Sequence, residues 1–343
     1  MYALKEISER ERWDAFIDAC DPNTFLHSWA WSEVEADLGR KVYRLGIFAD
    51  GRQVGAFLAV VVPARRGAMV LCPHGPIFSC REPAARREEI IRSASDALRE
   101  IGVREKCVCV RVCSLFPDTD ESQALFASFG FRRAPIHMYS ERSWGIDITP
   151  EQQTLLNGMK KNTRYGIRKA EKDGVAVTAS VDIRDLETFW DVYVKTAHRQ
   201  GFTVYPKALL EAEFRRFAQQ GRARWYFARF KGEVVSTALI LYSKTTAFYH
   251  HGASLHGTES ITPGEALQWH IIRDAKSLGL RRYNFWGVAP TDAPSHPWAG
   301  LSKFKKSFGG YAEAYLHAQD LPLSPWYWMT WTIETLRKWK RNL

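Results

Sequence analysis

Tyr43–Val62 reads YRLGIFADGRQVGAFLAVVV, and Trp225–Ser243, roughly 180 residues later, reads WYFARFKGEVVSTALILYS. Each is a β-branched and aromatic strand, a two-residue turn (Asp50-Gly51, Lys231-Gly232) and a second strand. That is the signature of a tight β-hairpin. Val54 and Val235 occupy equivalent places after the two turns.

The flanks repeat as well. After the first hairpin come a strand over Ala68–Phe78 containing His74-Gly75, a helix over Pro83–Ile101 and a strand over Cys107–Val112. After the second come Thr246–Ser254 with His251-Gly252, a helix over Gly264–Leu278 and a strand over Arg282–Trp286. A helix precedes each hairpin, Ser28–Leu38 in one copy and Leu186–Gln200 in the other. Apolar positions at helical spacing, such as Ile90, Ile91, Ala94, Ala97 and Leu98, support the helices. This alternation predicts an α+β chain with mixed, twisted sheets flanked by helices, and its order resembles the core of the acetyltransferase (GNAT) fold. Two such domains are expected, 1–145 completed by 317–343, and 146–316.

Bulk properties narrow the function classes. The chain has 343 residues and a formal net charge of +10, which favours a polyanionic partner. No apolar run approaches the ~20 residues of a membrane span, and the polar start MYALKEISERERW lacks a signal peptide's apolar region. A cytoplasmic protein is expected. The six cysteines (Cys20, Cys72, Cys80, Cys107, Cys109, Cys113) show no C-x-x-C pair, so reduced, buried thiols and no metal are expected.

Basic residues cluster twice. In a helix expected over Leu155–Asp173, Lys160, Arg164, Arg168 and Lys172 recur every four residues, with Lys161, Tyr165 and Lys169 beside them. Like charges in register repel unless an anion or solvent screens them, so phosphate binding is weighed against a solvated face. In LSKFKKSFGG (Leu301–Gly310), Lys303, Lys305 and Lys306 surround Phe304. Spacing alone gives no more than an edge-strand lysine there. The loop HGTESITPG (His256–Gly264) stands where an acetyltransferase wraps the coenzyme A pyrophosphate, yet it carries just Gly257 and Gly264, with Pro263 lacking an N–H. That argues against coenzyme A. His250 and His251 are candidates for a general base or for structural histidines. In the last segment, Trp326, Trp328, Trp331 and Trp339 stand near Lys338, Lys340 and Arg341, a composition suited to a membrane surface or to packing on the protein's own domain.

Taken together, Ser28-Trp29-Ala30-Trp31, Lys161–Gly174 (KNTRYGIRKAEKDG), Tyr249–Ser254 (YHHGAS), Ala266–Gly279 (ALQWHIIRDAKSLG), Tyr283–Gly287 (YNFWG) and Phe304–Gly310 (FKKSFGG) resemble, in order and spacing, the Fem family of peptidoglycan cross-bridge aminoacyl transferases. The resemblance implies two GNAT-like domains, no metal and no bound cofactor. Aminoacyl-tRNA would be the co-substrate, and the acceptor a peptide-stem amine on a lipid II or UDP-MurNAc-peptide precursor. Some relatives insert a helical-hairpin arm in the second domain; this chain has no counterpart. The resemblance makes Lys305 and Phe304 the catalytic pair. It makes Lys160, Arg164, Arg168, Lys169, Lys172, Trp31, Tyr249, His251 and Trp286 candidates for substrate binding. A monomer is expected, with 326–341 as its membrane-facing segment. The alternative is an N-acyltransferase of the same fold using an acyl-CoA or acyl-carrier donor. The chain departs from its relatives at Glu33 and Glu35, at Arg111-Val112-Cys113-Ser114, and at Asn284 and Trp286.

Overall fold

A computed structural model describes residues 2–80, 82–291 and 296–341; the side chains of 84, 85, 259, 340 and 341 lie outside that description, so the expectation placed on Lys340 and Arg341 does too. In chain order the elements are β1 (Tyr2–Glu6), α1 (Arg10–Asp18), α2 (Trp29–Asp37), β2 (Lys41–Ala49), β3 (Arg52–Val62), β4 (Met69–His74), β5 (Ile77–Phe78), α3 (Ala84–Arg104), β6 (Cys109–Ser114), α4 (Asp120–Ser128) and β7 (Arg132–Arg133). Then follow β8 (Arg142–Asp147), α5 (Gln152–Gly158), α6 (Lys161–Lys172), β9 (Ala176–Ser180), α7 (Leu186–Gln200), α8 (Lys207–Ala218), β10 (Ala223–Phe230), β11 (Glu233–Tyr242), β12 (Thr246–Ser254), α9 (Pro263–Ser277) and β13 (Arg282–Gly287). Last come α10 (Ala299–Lys306), β14 (Tyr311–Ala314), β15 (Gln319–Pro322) and α11 (Tyr327–Arg341).

The chain divides into two compact units, Met1–Glu141 with Ala314–Leu343, and Arg142–Glu313. These crossings lie at 141/142 and 313/314, against 145/146 and 316/317 in the sequence reading. Each unit is a mixed sheet flanked by helices, so the chain is α+β with a GNAT-like unit written twice.

In the first unit the strand order is β1-β2-β3-β4-β6-β15-β7, with β4 and β6 parallel. The β2–β3 hairpin turns through Asp50 and Gly51, both at positive φ, the geometry whose twist matches that of the strands. Helix α3 lays Ile90, Ile91, Ala94, Leu98 and Ile101 against Phe57, Val70 and Val110 to form the core. β15 returns from the far end of the chain to pair with β6 and β7. There Arg111 of β6 is wholly buried, and its guanidinium donates to both carboxylate oxygens of Asp320 (2.7 and 2.8 Å) and to Glu334 of α11 at 2.8 Å. The acids that balance Arg111 thus come from the returning segment rather than from its own strand.

In the second unit the order is β14-β8-β13-β12-β11-β10-β9. Its hairpin, β10–β11, turns through Lys231 and Gly232, again both at positive φ. Tyr226, Ile240, Ile271, Ile272 and Phe285 fill its core. The consecutive helices α7 and α8 both lie on the sheet, against β11 and β12 and against β10 and β11. Two sequence expectations change here. The basic helix over 155–173 is broken into α5 and α6, because Met159 and Lys160 adopt extended backbone after Gly158. Lys305 sits in a helix, α10, and not at a strand end. Ser302, Lys305 and Phe308 recur at helical spacing and point inward, and the Ser302 hydroxyl accepts the Ala289 N–H at 2.8 Å.

Candidate active site

The two units differ where their parallel strands end. In the first, β4 and β6 stay paired from Met69–Cys109 through His74–Ser114. In the second, β12 and β13 pair over just Thr246–Arg282, Ala247–Tyr283 and Phe248–Asn284, although the strands run on to Ser254 and Gly287. The sheet therefore opens between Tyr249–Ser254 and Phe285–Gly287. Both margins carry irregularities of the kind that re-aim side chains near functional sites. On β12 the register with β11 slips between Leu239 and Ile240, leaving His250 as the extra residue. On β13 the register with β8 slips between Asn284 and Gly287, and Trp286 holds a positive φ of 61°. Asn284 maintains that kink: its side-chain oxygen accepts the Trp286 N–H at 2.6 Å, while its amide donates to Glu313 at 2.8 Å and to Ser143 at 3.2 Å.

Lys305 reaches this opening from α10. It is 5% exposed, and its ammonium donates to the Gly287 carbonyl at 2.6 Å, the last residue of β13. It also lies 5.8 Å from the centre of the Tyr249 ring. Burial pushes its pKa down to about 7, so the side chain sits between its two protonation states at neutral pH. Tyr249 faces Phe285 edge-on, and its hydroxyl passes so close to Gly252 that any Cβ there would collide with it, which is why glycine stands at 252. Phe304 packs its ring over Gly264, at the start of α9, and against Phe308.

The opposite side of β12 carries other chemistry. Because of the bulge, His250 and His251 both turn toward α8. Their Nε2 atoms lie 3.1 and 2.9 Å from the two carboxylate oxygens of Glu213. Burial alone would raise the Glu213 carboxyl, but the two histidines outweigh it and hold its pKa at about 2. His251 is thus engaged with Glu213 rather than grouped with Lys305. Trp286 lies edge-on to His250, with ring centres 6.3 Å apart. Glu213 was not singled out in the sequence. It carried a signal nonetheless: it shares the spacing of Leu210, Phe214 and Phe217, which makes it an acid on a helix's buried face.

The basic helix starts beside the Lys305 helix. The Lys160 N–H donates to the Ser307 carbonyl at 2.9 Å, and the Thr163 hydroxyl donates to the Ser307 hydroxyl at 2.8 Å. Lys160 precedes α6, and the Arg164 guanidinium turns back onto the carbonyls of Asn157 and Met159. The exposed stripe is therefore Lys161, Tyr165, Arg168 and Lys172, while Lys169 pairs with Asp173. Gly166 of α6 packs against Thr262 and Glu265 at the beginning of α9, and the Thr262 hydroxyl donates to the Gly166 carbonyl at 2.7 Å. The backbone of α6 at Gly166 thus packs beside the end of α9 that would receive a pyrophosphate. Trp31 belongs to the first unit, where it is 5% exposed, with Phe25 and Tyr139 edge-on to it.

Comparison with known proteins supports the same fold. Residues 157–305 match the acetyltransferase (GNAT) domain model, a stretch that ends on Lys305. Lipid II:glycine glycyltransferase from Staphylococcus aureus is 20% identical, with 91% of each chain aligned. Among solved structures, FemX superposes with a TM-score of 0.82 at 18% identity, covering 97% of this chain and all of that one. A tandem GNAT protein from the clavulanic acid biosynthesis pathway gives 0.57 at 12% identity, covering 95% and 99%. The chain thus has the fold of FemX over nearly its full length, carries a GNAT domain match in its second half and is similar in sequence to the lipid II:glycine glycyltransferases.

Proposed function

We propose that the protein transfers an amino acid from aminoacyl-tRNA to a peptide-stem amine of a peptidoglycan precursor, lipid-linked or UDP-linked, without a bound cofactor. The observation that carries this reading is the buried Lys305, held by Gly287 at the mouth of the opened β12–β13 pair. The acceptor amine, as its free base, attacks the ester carbonyl. A C–N bond forms, the ester C–O bond breaks, and the tRNA's terminal ribose oxygen leaves carrying the proton the nitrogen loses. Negative charge develops on the carbonyl oxygen meanwhile. Protonated Lys305 has three N–H donors, one given to Gly287, so others remain to stabilise that oxyanion in a desolvated site. The ester is already activated, so alignment supplies much of the rest.

Phosphates of the tRNA end or of the precursor diphosphate would lie along Lys161, Arg168 and Lys172 on α6, which begins at the Lys305 helix. Tyr249 and Trp286 flank the opening, and Phe304 braces α10 against α9. An acyl-CoA donor is the second reading, favoured by the GNAT domain match over 157–305. The two-glycine loop and the packing of α6 on the start of α9 speak against it. A donor competition tests the choice: transfer should require charged tRNA and vanish after ribonuclease treatment. Transfer supported equally by an acyl-CoA would reverse it.

A membrane-bound precursor also calls for a membrane-facing surface on the cytoplasmic side, and α11 supplies a candidate. Among the described residues no helix is long and apolar enough to cross a membrane. Yet Trp328, Met329, Leu336 and Trp339 are exposed on the side of α11 away from its buried Tyr327, Thr330 and Glu334, with Trp339 85% exposed. The hydroxyls of Thr332 and Thr335 between them donate to the carbonyls four residues back. The two hydroxyls on this side are therefore satisfied within the helix.

A further inference from the structure

The cluster on the α8 side of β12 has no part in the transfer chemistry above. We propose that Glu213, His250 and His251 bind one divalent transition-metal ion, with zinc as the ion their donor set suits best. Two imidazoles and one carboxylate are a set that zinc favours, and three protein ligands leave a position open. The ligand atoms of the three residues all lie within 4.8 Å of one another. Ligands about 2.1 Å from a zinc ion at the tetrahedral angle stand roughly 3.4 Å apart; the two nitrogen–oxygen separations, 2.9 and 3.1 Å, are hydrogen-bonded contacts that would widen by a few tenths of an ångström around the ion.

The backbone is shaped for this convergence. Neighbouring residues of a regular strand point to opposite faces. The bulge at His250 brings the two consecutive histidines to the same side, their ring centres 4.0 Å apart. Glu213 is 1% and His251 7% exposed, and the rings of Tyr193 and Tyr205 lie edge-on to His251. A buried carboxylate in such a place is costly without a compensating cation. The bound ion would tie α8 to β12.

The test uses the tag-free, full-length protein, stripped with a chelator and titrated with Co2+ and then Zn2+. One equivalent should bind, Co2+ should show visible ligand-field absorption without a thiolate charge-transfer band, and thermal stability should rise. Glu213→Gln and His251→Gln should weaken binding at least about tenfold, with circular dichroism confirming that they fold. Should the variants unfold, paramagnetically shifted imidazole signals from two histidines in the Co2+-loaded wild type carry the same information. The proposal is overturned by no one-to-one uptake, by thiolate charge transfer that places the ion on cysteine, by uptake unchanged in the folded variants, or by the absence of the two shifted imidazoles. A negative result leaves the transfer reading standing, because no transfer step uses this cluster.

Discussion

The proposed chemistry and its energetic cost meet at Lys305. Folding buries its ammonium and lowers its pKa from an ordinary lysine value to about 7. Below that value both folded and unfolded chains hold the proton, and the native state bears a full desolvation penalty. Between about 7 and the unfolded value the unfolded chain binds more protons, so stability rises with pH across that window. Lys305→Met should therefore raise the melting temperature at pH 6, with a smaller gain at pH 9, while cutting transfer by about 10²–10³-fold. If the protonated form is the working one, wild-type kcat should fall as pH rises through about 7; a flat profile with a fully active Lys305→Met would remove the residue from the mechanism. Little of this was legible in the chain. Spacing showed a lysine near two glycines, and its assignment as catalytic came from family resemblance. Its burial depends on the Gly287 carbonyl of a distant strand, which no local pattern reveals.

At the scale of elements, the hairpins were the most legible feature, because Asp50-Gly51 and Lys231-Gly232 sit between alternating apolar runs and supply the left-handed turn residues. Helix α6 begins one residue after the start of the sequence stripe: the exposed Lys160 caps it in extended backbone and Arg164 turns back onto Asn157 and Met159, so Lys161, Arg168 and Lys172 form the exposed row of the helix itself. Arg168→Glu with Lys172→Glu should weaken tRNA or precursor binding by tenfold or more at low salt and flatten its salt dependence, as fluorescence anisotropy with labelled tRNA and muropeptide would measure. Unchanged affinity at low salt would make the row a merely solvated face. The join between β6, β15 and α11 rests on Arg111, Asp320 and Glu334. Arg111→Ala leaves two buried carboxylates uncompensated and should cost roughly 3–5 kcal/mol in urea unfolding. A loss below about 1 kcal/mol would show that the join is held by packing alone. The Arg111 partners were hidden in the sequence because more than 200 residues separate them from it.

For the whole molecule, duplication followed by divergence is the feature that matters. The first unit keeps its parallel strands paired to their ends, whereas the second opens them and lines the gap with Tyr249, Trp286 and Lys305. The repeat was visible as sequence; the opening was not, because it depends on where strand pairing stops. The exposed face of α11 makes a separate prediction: sedimentation with anionic phosphatidylglycerol vesicles should be lost in Trp328→Ser/Trp339→Ser. Equal recovery of that variant with vesicles would give the stripe another role. The central claim is that the second unit joins an aminoacyl ester to a cell-wall amine. Full-length protein incubated with a mixture of charged tRNAs and both lipid II and UDP-MurNAc-pentapeptide should add the mass of one amino-acid residue to a precursor, and Lys305→Met should not. No gain from any charged tRNA, together with an acyl increment delivered from acyl-CoA, would contradict it.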